Sequence, residues 1–170
     1  MCCSVYLPRF ILTYLTLYVV KIKLRLRIDA PRELVWDIVS DIDNDSYFWR
    51  GITSIRNFSK NRNITTREVV LGKDNVCLQV LKTHSLERIQ TQWVNGVISG
   101  TRDILLFPLN NATLLEIQMN YDFPGIGKQD SKRLAELFQN EAELAVELIK
   151  RRSEGCEYDI PVTKGKLWVS

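Results

Sequence analysis

The chain has 170 residues, 45% of them hydrophobic and 25% charged, with a formal net charge of +3. It is long enough for one domain with a sizeable core, and its composition excludes a disordered, collagen-like or disulfide-scaffold chain. So small a charge gives no electrostatic footprint for a polyanion, and no nucleic-acid partner is expected.

The cysteines Cys2, Cys3, Cys77 and Cys156 show no CxxC spacing, and His84 is the only histidine. No zinc-type ligand set can be assembled from them, so neither a metal nor another cofactor is expected. Two adjacent cysteines and two lone ones do not form a disulfide framework, which favours a reducing, cytoplasmic compartment. The N-terminal run FILTYLTLYVV (Phe10 to Val20) is apolar. It is shorter than the ~20 residues of a spanning helix and leads into an alternating strand, so residues 1–17 read as a hydrophobic N-terminal extension.

From Val20 to Asp29 the chain alternates. Val20, Ile22, Leu24, Leu26 and Ile28 face one way, and Lys21, Lys23, Arg25 and Arg27 the other. This pattern predicts a half-buried strand with a solvated basic face. A helix follows to about Asp43, entered by Pro31 and Glu33, with Leu34, Val35, Ile38, Val39 and Ile42 on its apolar face.

The stretch DIDNDSYFWRGI (Asp41 to Ile52) then places acids at alternate positions. An EF-hand loop would need a glycine at its sixth position and a glutamate at its twelfth, where this chain has Ser46 and Ile52, so the stretch is not read as a calcium site. The acids are instead expected at a helix end and in a solvated turn. Asn44 and Asp45 would cap a second short helix whose buried side is Tyr47, Phe48 and Trp49, with Gly51 as its exit.

Strands are predicted over 52–58, 64–71, 76–83, 88–94, 97–107 and 114–123. The last alternates most cleanly, with Leu115, Ile117, Met119, Tyr121 and Phe123 on one face. The short links KNRN, GKDN, VNG and PLNN point to an antiparallel meander. After PGIG the period changes, predicting a long helix over 130–153 closed by Gly155. Its stripe is Leu134, Leu137, Phe138, Ala142, Ala145, Leu148 and Ile149. The domain is thus expected over 18–155, with a C-terminal tail at 156–170 that forms a short strand near Leu167 to Val169.

About seven strands at ~4.8 Å spacing make a sheet on the order of 30 Å wide, whereas a helix is only ~10 Å across. The sheet must curve around the long helix, and such a curve is expected to leave an interior hollow. The fold class is therefore α+β: a curved antiparallel sheet of about seven strands wrapped around a long C-terminal helix, with two short helices after the first strand.

That order resembles the START-like, birch-pollen-allergen superfamily of helix-grip proteins (SRPBCC), which includes polyketide cyclase/dehydrase-like and coenzyme-Q-binding members. The residues carrying the resemblance are IDAPRELVWDIVSDIDNDSYFWRGITSI (Ile28 to Ile55), GTRDILLFPL (Gly100 to Leu109) and YDFPGIG (Tyr121 to Gly127). The resemblance covers roughly 19–155, and its motifs specify fold far better than ligand.

It implies that a hydrophobic small molecule binds between sheet and helix. The inward candidates are Trp93, Met119, Tyr121, Phe123, Leu134, Leu137, Phe138 and Leu148, with plain core packing as the competing role of each. Among polar residues, Glu141 lies one turn beyond Leu137 and Phe138, with an edge-of-stripe carboxylate as the bland alternative. Arg102, paired with Glu68 or Glu141, would anchor a ligand carboxylate or phosphate; otherwise it is a surface arginine. His84 reads as a surface histidine in a turn.

The leading expectation is a binder or carrier of a lipid, isoprenoid quinone or polyketide-like compound. The alternatives are a cyclase or dehydratase using Glu141, Arg102 or Tyr121, and an interaction module built from the N-terminal arm and C-terminal tail. No nucleophile–base spacing gives positive evidence for catalysis, and a transient membrane contact stays open.

Overall fold

The computed structural model describes residues 19–156; the N-terminal extension and the tail with its strand near Leu167 to Val169 fall outside them. Seven strands form one antiparallel sheet: β1 (Val19–Ile28), β2 (Ile52–Asn61), β3 (Ile64–Leu71), β4 (Asn75–His84), β5 (Arg88–Asn95), β6 (Ser99–Leu109) and β7 (Ala112–Asp122). Their spatial order is β1-β7-β6-β5-β4-β3-β2, so β1 and β2 are the two edges. The chain crosses the sheet between them through α1 (Arg32–Val39), a 3-10 turn (Ile42–Asn44) and α2 (Asp45–Phe48). The final helix α3 (Lys128–Ser153) has 26 residues, roughly 39 Å at 1.5 Å per residue.

Period-two alternation fixes which side chains meet α3. Register pairs Val20 with Tyr121, Ile22 with Met119 and Leu24 with Ile117, so the apolar face expected for each strand becomes one continuous concave surface. Across the next pairing, Arg102 stands beside Met119 and Ile104 beside Ile117. Gly100 permits the close approach of β6 to β7. Its φ is +117°, and a Cβ there would overlap the Asn120 carbonyl oxygen.

On the convex side the basic stripe of β1 is largely neutralised. Lys23 and Arg25 both pair with the buried Glu116 of β7, and Arg27 pairs with Asp29. Burial alone would raise the Glu116 carboxyl, but hydrogen bonds from Gln118, Arg25 and Lys23 outweigh it and hold the group down to about 2. The opposite edge strand, β2, carries two register irregularities and exposed Arg56 and Lys60, features that discourage a further strand from adding there.

Both ends of α3 are tied down. Ser131 donates to the Gly127 carbonyl at the start. At the end, Lys150 donates to the Arg27 carbonyl, and Glu154 accepts from the Asp29 N–H. No helix among the described residues is long and apolar enough to cross a membrane.

Several details differ from the sequence reading. The first helix stops at Val39, because Ser40 and Asp41 break it before the 3-10 turn. Leu34 is exposed rather than part of the apolar face, and Tyr47 is exposed while Phe48 and Trp49 are buried. A helix of only four residues can turn one narrow side inward, and Tyr47 falls outside it. Asn44 does not cap α2; its amide donates to Asp41 instead.

Candidate functional site

Each acid of the DIDND stretch has a different task. Asp41 accepts from Asn44. Asp43 ties the turn to β2 by accepting from Asn57 and Lys60, both at 2.6 Å. Asp45 is not in a solvated turn as expected; it is buried. Its Oδ2 accepts from Arg67 of β3 at 2.6 Å and from Arg102 of β6 at 3.1 Å. The three acids share a spacing and not a function, and no cluster of acids, cysteines and histidine among the described residues could hold a metal.

The two buried arginines are satisfied to different degrees. Arg67, with its guanidinium fully enclosed, donates from Nε to Gln79, from one terminal nitrogen to the Ile42 carbonyl and from the other to Asp45. These bonds lock the turn before α2 onto the sheet. Arg102 gives one terminal nitrogen to Asp45 and lays its guanidinium over the Trp49 ring, 4.0 Å from the centroid. Its Nε has no hydrogen-bond partner. The salt bridge expected between Arg102 and Glu68 or Glu141 is made with Asp45 instead; Glu141 feels Arg102 through its charge alone, and Glu68 lies on the opposite face of β3 from Arg67.

Beside Arg102 a small hollow is lined by Trp49, Ile52, Leu71, Trp93, Met119, Tyr121, Phe138 and Glu141. Its volume is about 10 Å³, room for roughly one water. The wide hollow expected from curvature is closed by aromatic rings. Tyr121 packs edge-on against Trp93 and Phe138, with centroids at 6.0 and 5.2 Å, and Phe123 stacks on Phe138 at 5.6 Å.

Glu141 reaches from α3 to the entry of β2, where its carboxylate accepts the Gly51 backbone N–H. Gly51 is required for that approach, since a Cβ there would fall 2.7 Å from Glu141 Oε1. Burial raises the Glu141 pKa, opposed by the Gly51 N–H and the charge of Arg102. Burial likewise pushes the Tyr121 phenol up to about 12, again against the pull of Arg102. The Trp93 indole N–H lies near enough to the phenol to favour its ionised form, yet without hydrogen-bond geometry; the N–H has no partner.

Of the residues singled out from sequence, Trp93, Arg102, Met119, Tyr121, Phe138 and Glu141 meet around this hollow. Phe123 is buried behind Phe138 without lining it, and Leu134 and Leu137 are only half-buried. They belong to the first turns of α3, of which only Ser131 is buried before Phe138. Leu148 is buried in the core farther along the helix. His84 is exposed at the end of β4, as read. Sequence reasoning missed Ile52 and Leu71 in the lining and Asp45 as the partner of Arg102. Asp45 and Ile52 lie in the helix-grip opening, whereas Leu71 at the end of β3 carried no such signal.

A second, larger depression of about 640 Å³ runs between the outer edge of β1 and α3, touching Val20, Ile22, Ala135 and Gln139.

Solved structures settle what this architecture is. Superposition on TTHA0849 from Thermus thermophilus gives a TM-score of 0.69 at 16% identity, covering 81% of this chain and 99% of that one. A START superfamily protein from Mycobacterium smegmatis aligns with a TM-score of 0.64 at 15% identity, over 78% of this chain and 97% of the other. The fold is the START-like helix-grip. The helix-grip unit also matches the di-domain ARO/CYC StfQ from the steffimycin biosynthetic pathway, with a TM-score of 0.68 at 12% identity. There it covers 81% of this chain and 52% of the larger protein, about half its length. No protein-family model matches the chain, and no curated protein matches it by sequence.

Proposed function

We propose that the protein binds a hydrophobic or amphipathic small molecule, such as a lipid, an isoprenoid quinone or a polyketide-like compound, between the sheet and α3. One observation carries this reading: Arg102, Trp93, Tyr121 and Glu141 line one hollow together with apolar side chains, and two of them hold donors with no partner. Buried polar groups are nearly always hydrogen-bonded, so an unfilled set facing a common hollow reads as a place for a ligand's polar end. The StfQ and START superfamily likenesses support the same reading.

Ligand pockets usually hold about 300–1,000 Å³, far more than the closed hollow, so binding requires the ring cluster to give way. The depression along β1 offers a route. Its Val20 and Ile22 stand beside Tyr121 and Met119, and its Ala135 and Gln139 bracket Phe138, the ring that must turn.

Native mass spectrometry and solvent extraction of the purified protein, followed by thermal shift with fatty acids, quinones and aromatic polyketide analogues, test the proposal. A bound molecule, or stabilisation of about 2.7 kcal/mol at a hundredfold excess over Kd, is expected. No retained ligand and no shift with any class overturns it.

A cyclase or dehydratase is the second reading, favoured by the common burial of Glu141, Arg102 and Tyr121. A carboxyl with a raised pKa can move a proton at neutral pH, and the guanidinium can stabilise an enolate oxygen. Incubation with a poly-β-ketone analogue separates the two: turnover abolished by Glu141→Gln supports catalysis, and unchanged substrate supports binding alone.

A further inference from the structure

Arg67 and Arg102 share Asp45, but only Arg67 is fully used. Of the residues that line the hollow, two have a bare side-chain donor: Arg102 at Nε and Trp93 at its indole N–H, on adjacent strands. Both residues are more than nine-tenths buried, and both line the hollow. Each bare atom can only donate, and one of them belongs to a fixed cation.

We propose that the hollow selects its ligand by a negatively charged acceptor oxygen, a carboxylate or an acidic enol or phenol, received by Arg102 Nε and Trp93 Nε1. The proposal rests on the small-molecule reading above and names the ligand's polar end. An ammonium group would meet Arg102 as a like charge, and a plain hydrocarbon would leave both donors unmet.

The surroundings set a condition on the anion. Asp45 from α2 is already spent on the two guanidiniums, each nitrogen of Arg67 from β3 has a partner, and Tyr121 from β7 stays a neutral phenol at physiological pH. Glu141 from α3 faces the same hollow and would repel an anion while ionised. The anion therefore enters with a proton taken up by the Glu141 carboxylate, so one negative charge is exchanged for another beside Arg102. Affinity for the anion should rise as the pH falls toward the Glu141 pKa.

The test compares three probes with one apolar body: 2-naphthoate, 2-naphthalenemethanol and 2-naphthylmethylamine, titrated calorimetrically against the full chain. The carboxylate is expected to bind about tenfold or more tighter than the alcohol, with the amine weakest. Arg102→Gln should bring carboxylate and alcohol to within about twofold of each other. Trp93→Phe keeps an aromatic ring and removes the N–H, so it serves if the arginine variant does not fold, and it should weaken the carboxylate more than the alcohol. Glu141→Gln should flatten the pH dependence. Equal binding of all three probes, or binding of none, overturns the oxyanion assignment; the small-molecule reading falls only if the fatty acids, quinones and polyketide analogues fail as well.

Discussion

Replacing Asp45 with asparagine removes one buried charge and little volume. In the native protein this carboxylate is 4% exposed and accepts from Arg67 and Arg102 at 2.6 and 3.1 Å. Without it two guanidiniums remain enclosed beside each other with no fixed counter-charge, and the turn before α2 loses its tie to the sheet. Breaking a buried pair from one side costs about 3–5 kcal/mol, a large share of the roughly 5–15 kcal/mol that holds a domain folded. The asparagine side chain still offers a carbonyl oxygen, so the lower end, about 3 kcal/mol, is expected for Asp45→Asn. For a domain of this size that lowers Tm by roughly 10 °C. Urea unfolding followed by tryptophan fluorescence measures it, with Asp43→Asn as control. The Asp43–Lys60 pair is half exposed on both sides, and its loss should cost no more than about 0.5 kcal/mol. Equal losses from the two variants, or less than about 1 kcal/mol from Asp45→Asn, would refute the burial argument.

Three further perturbations probe other parts of the fold. Glu116 has a folded-state pKa of about 2 against an ordinary 4.5, so its contribution is fully present above pH 4.5 and fades as the pH falls toward 2. With the basic partners' heads more than half exposed, that contribution is on the order of 1–2 kcal/mol; urea midpoints between pH 6 and 2 should show the loss in wild type and not in Glu116→Gln. Gly100→Ala places a Cβ against the Asn120 carbonyl at a left-handed φ and should destabilise by on the order of 3 kcal/mol; a loss below about 1 kcal/mol means β6 and β7 are not so close. Phe138→Ala empties the centre of the ring cluster and should cost about 3–5 kcal/mol, with part of the loss restored by millimolar indole; no rescue would mean that the space collapses rather than opens.

The sheet was legible because its period is unambiguous. The alternation of Leu115, Ile117, Met119, Tyr121 and of Val20 through Ile28 names one face each, and register lays those faces side by side. Part of the site followed from the same parity, since Arg102, Met119 and Tyr121 share the concave face. The helix stripe names the apolar side of α3, on which Leu134 packs against the core without lining the hollow and Leu137 is half-buried. Periodicity reports which side of a helix is apolar, but not which of its residues reach a given hollow. Asp45 was illegible for a different reason: three acids at alternate positions look alike, and what distinguishes the third lies in Arg67 and Arg102, 22 and 57 residues farther along the chain. The closure of the hollow depends on ring orientations at Trp93, Tyr121, Phe123 and Phe138, which no pattern of residue types encodes.

The chain has two methionines, and Met119 forms part of the wall of the hollow. Labelling the methionine methyl groups with carbon-13 therefore gives one resonance that reports from the proposed site and one from Met1. Titration with an apolar carboxylate such as 2-naphthoate is expected to shift the Met119 methyl saturably. Saturable binding by calorimetry with an unmoved Met119 resonance would place the ligand outside the interior and contradict the account.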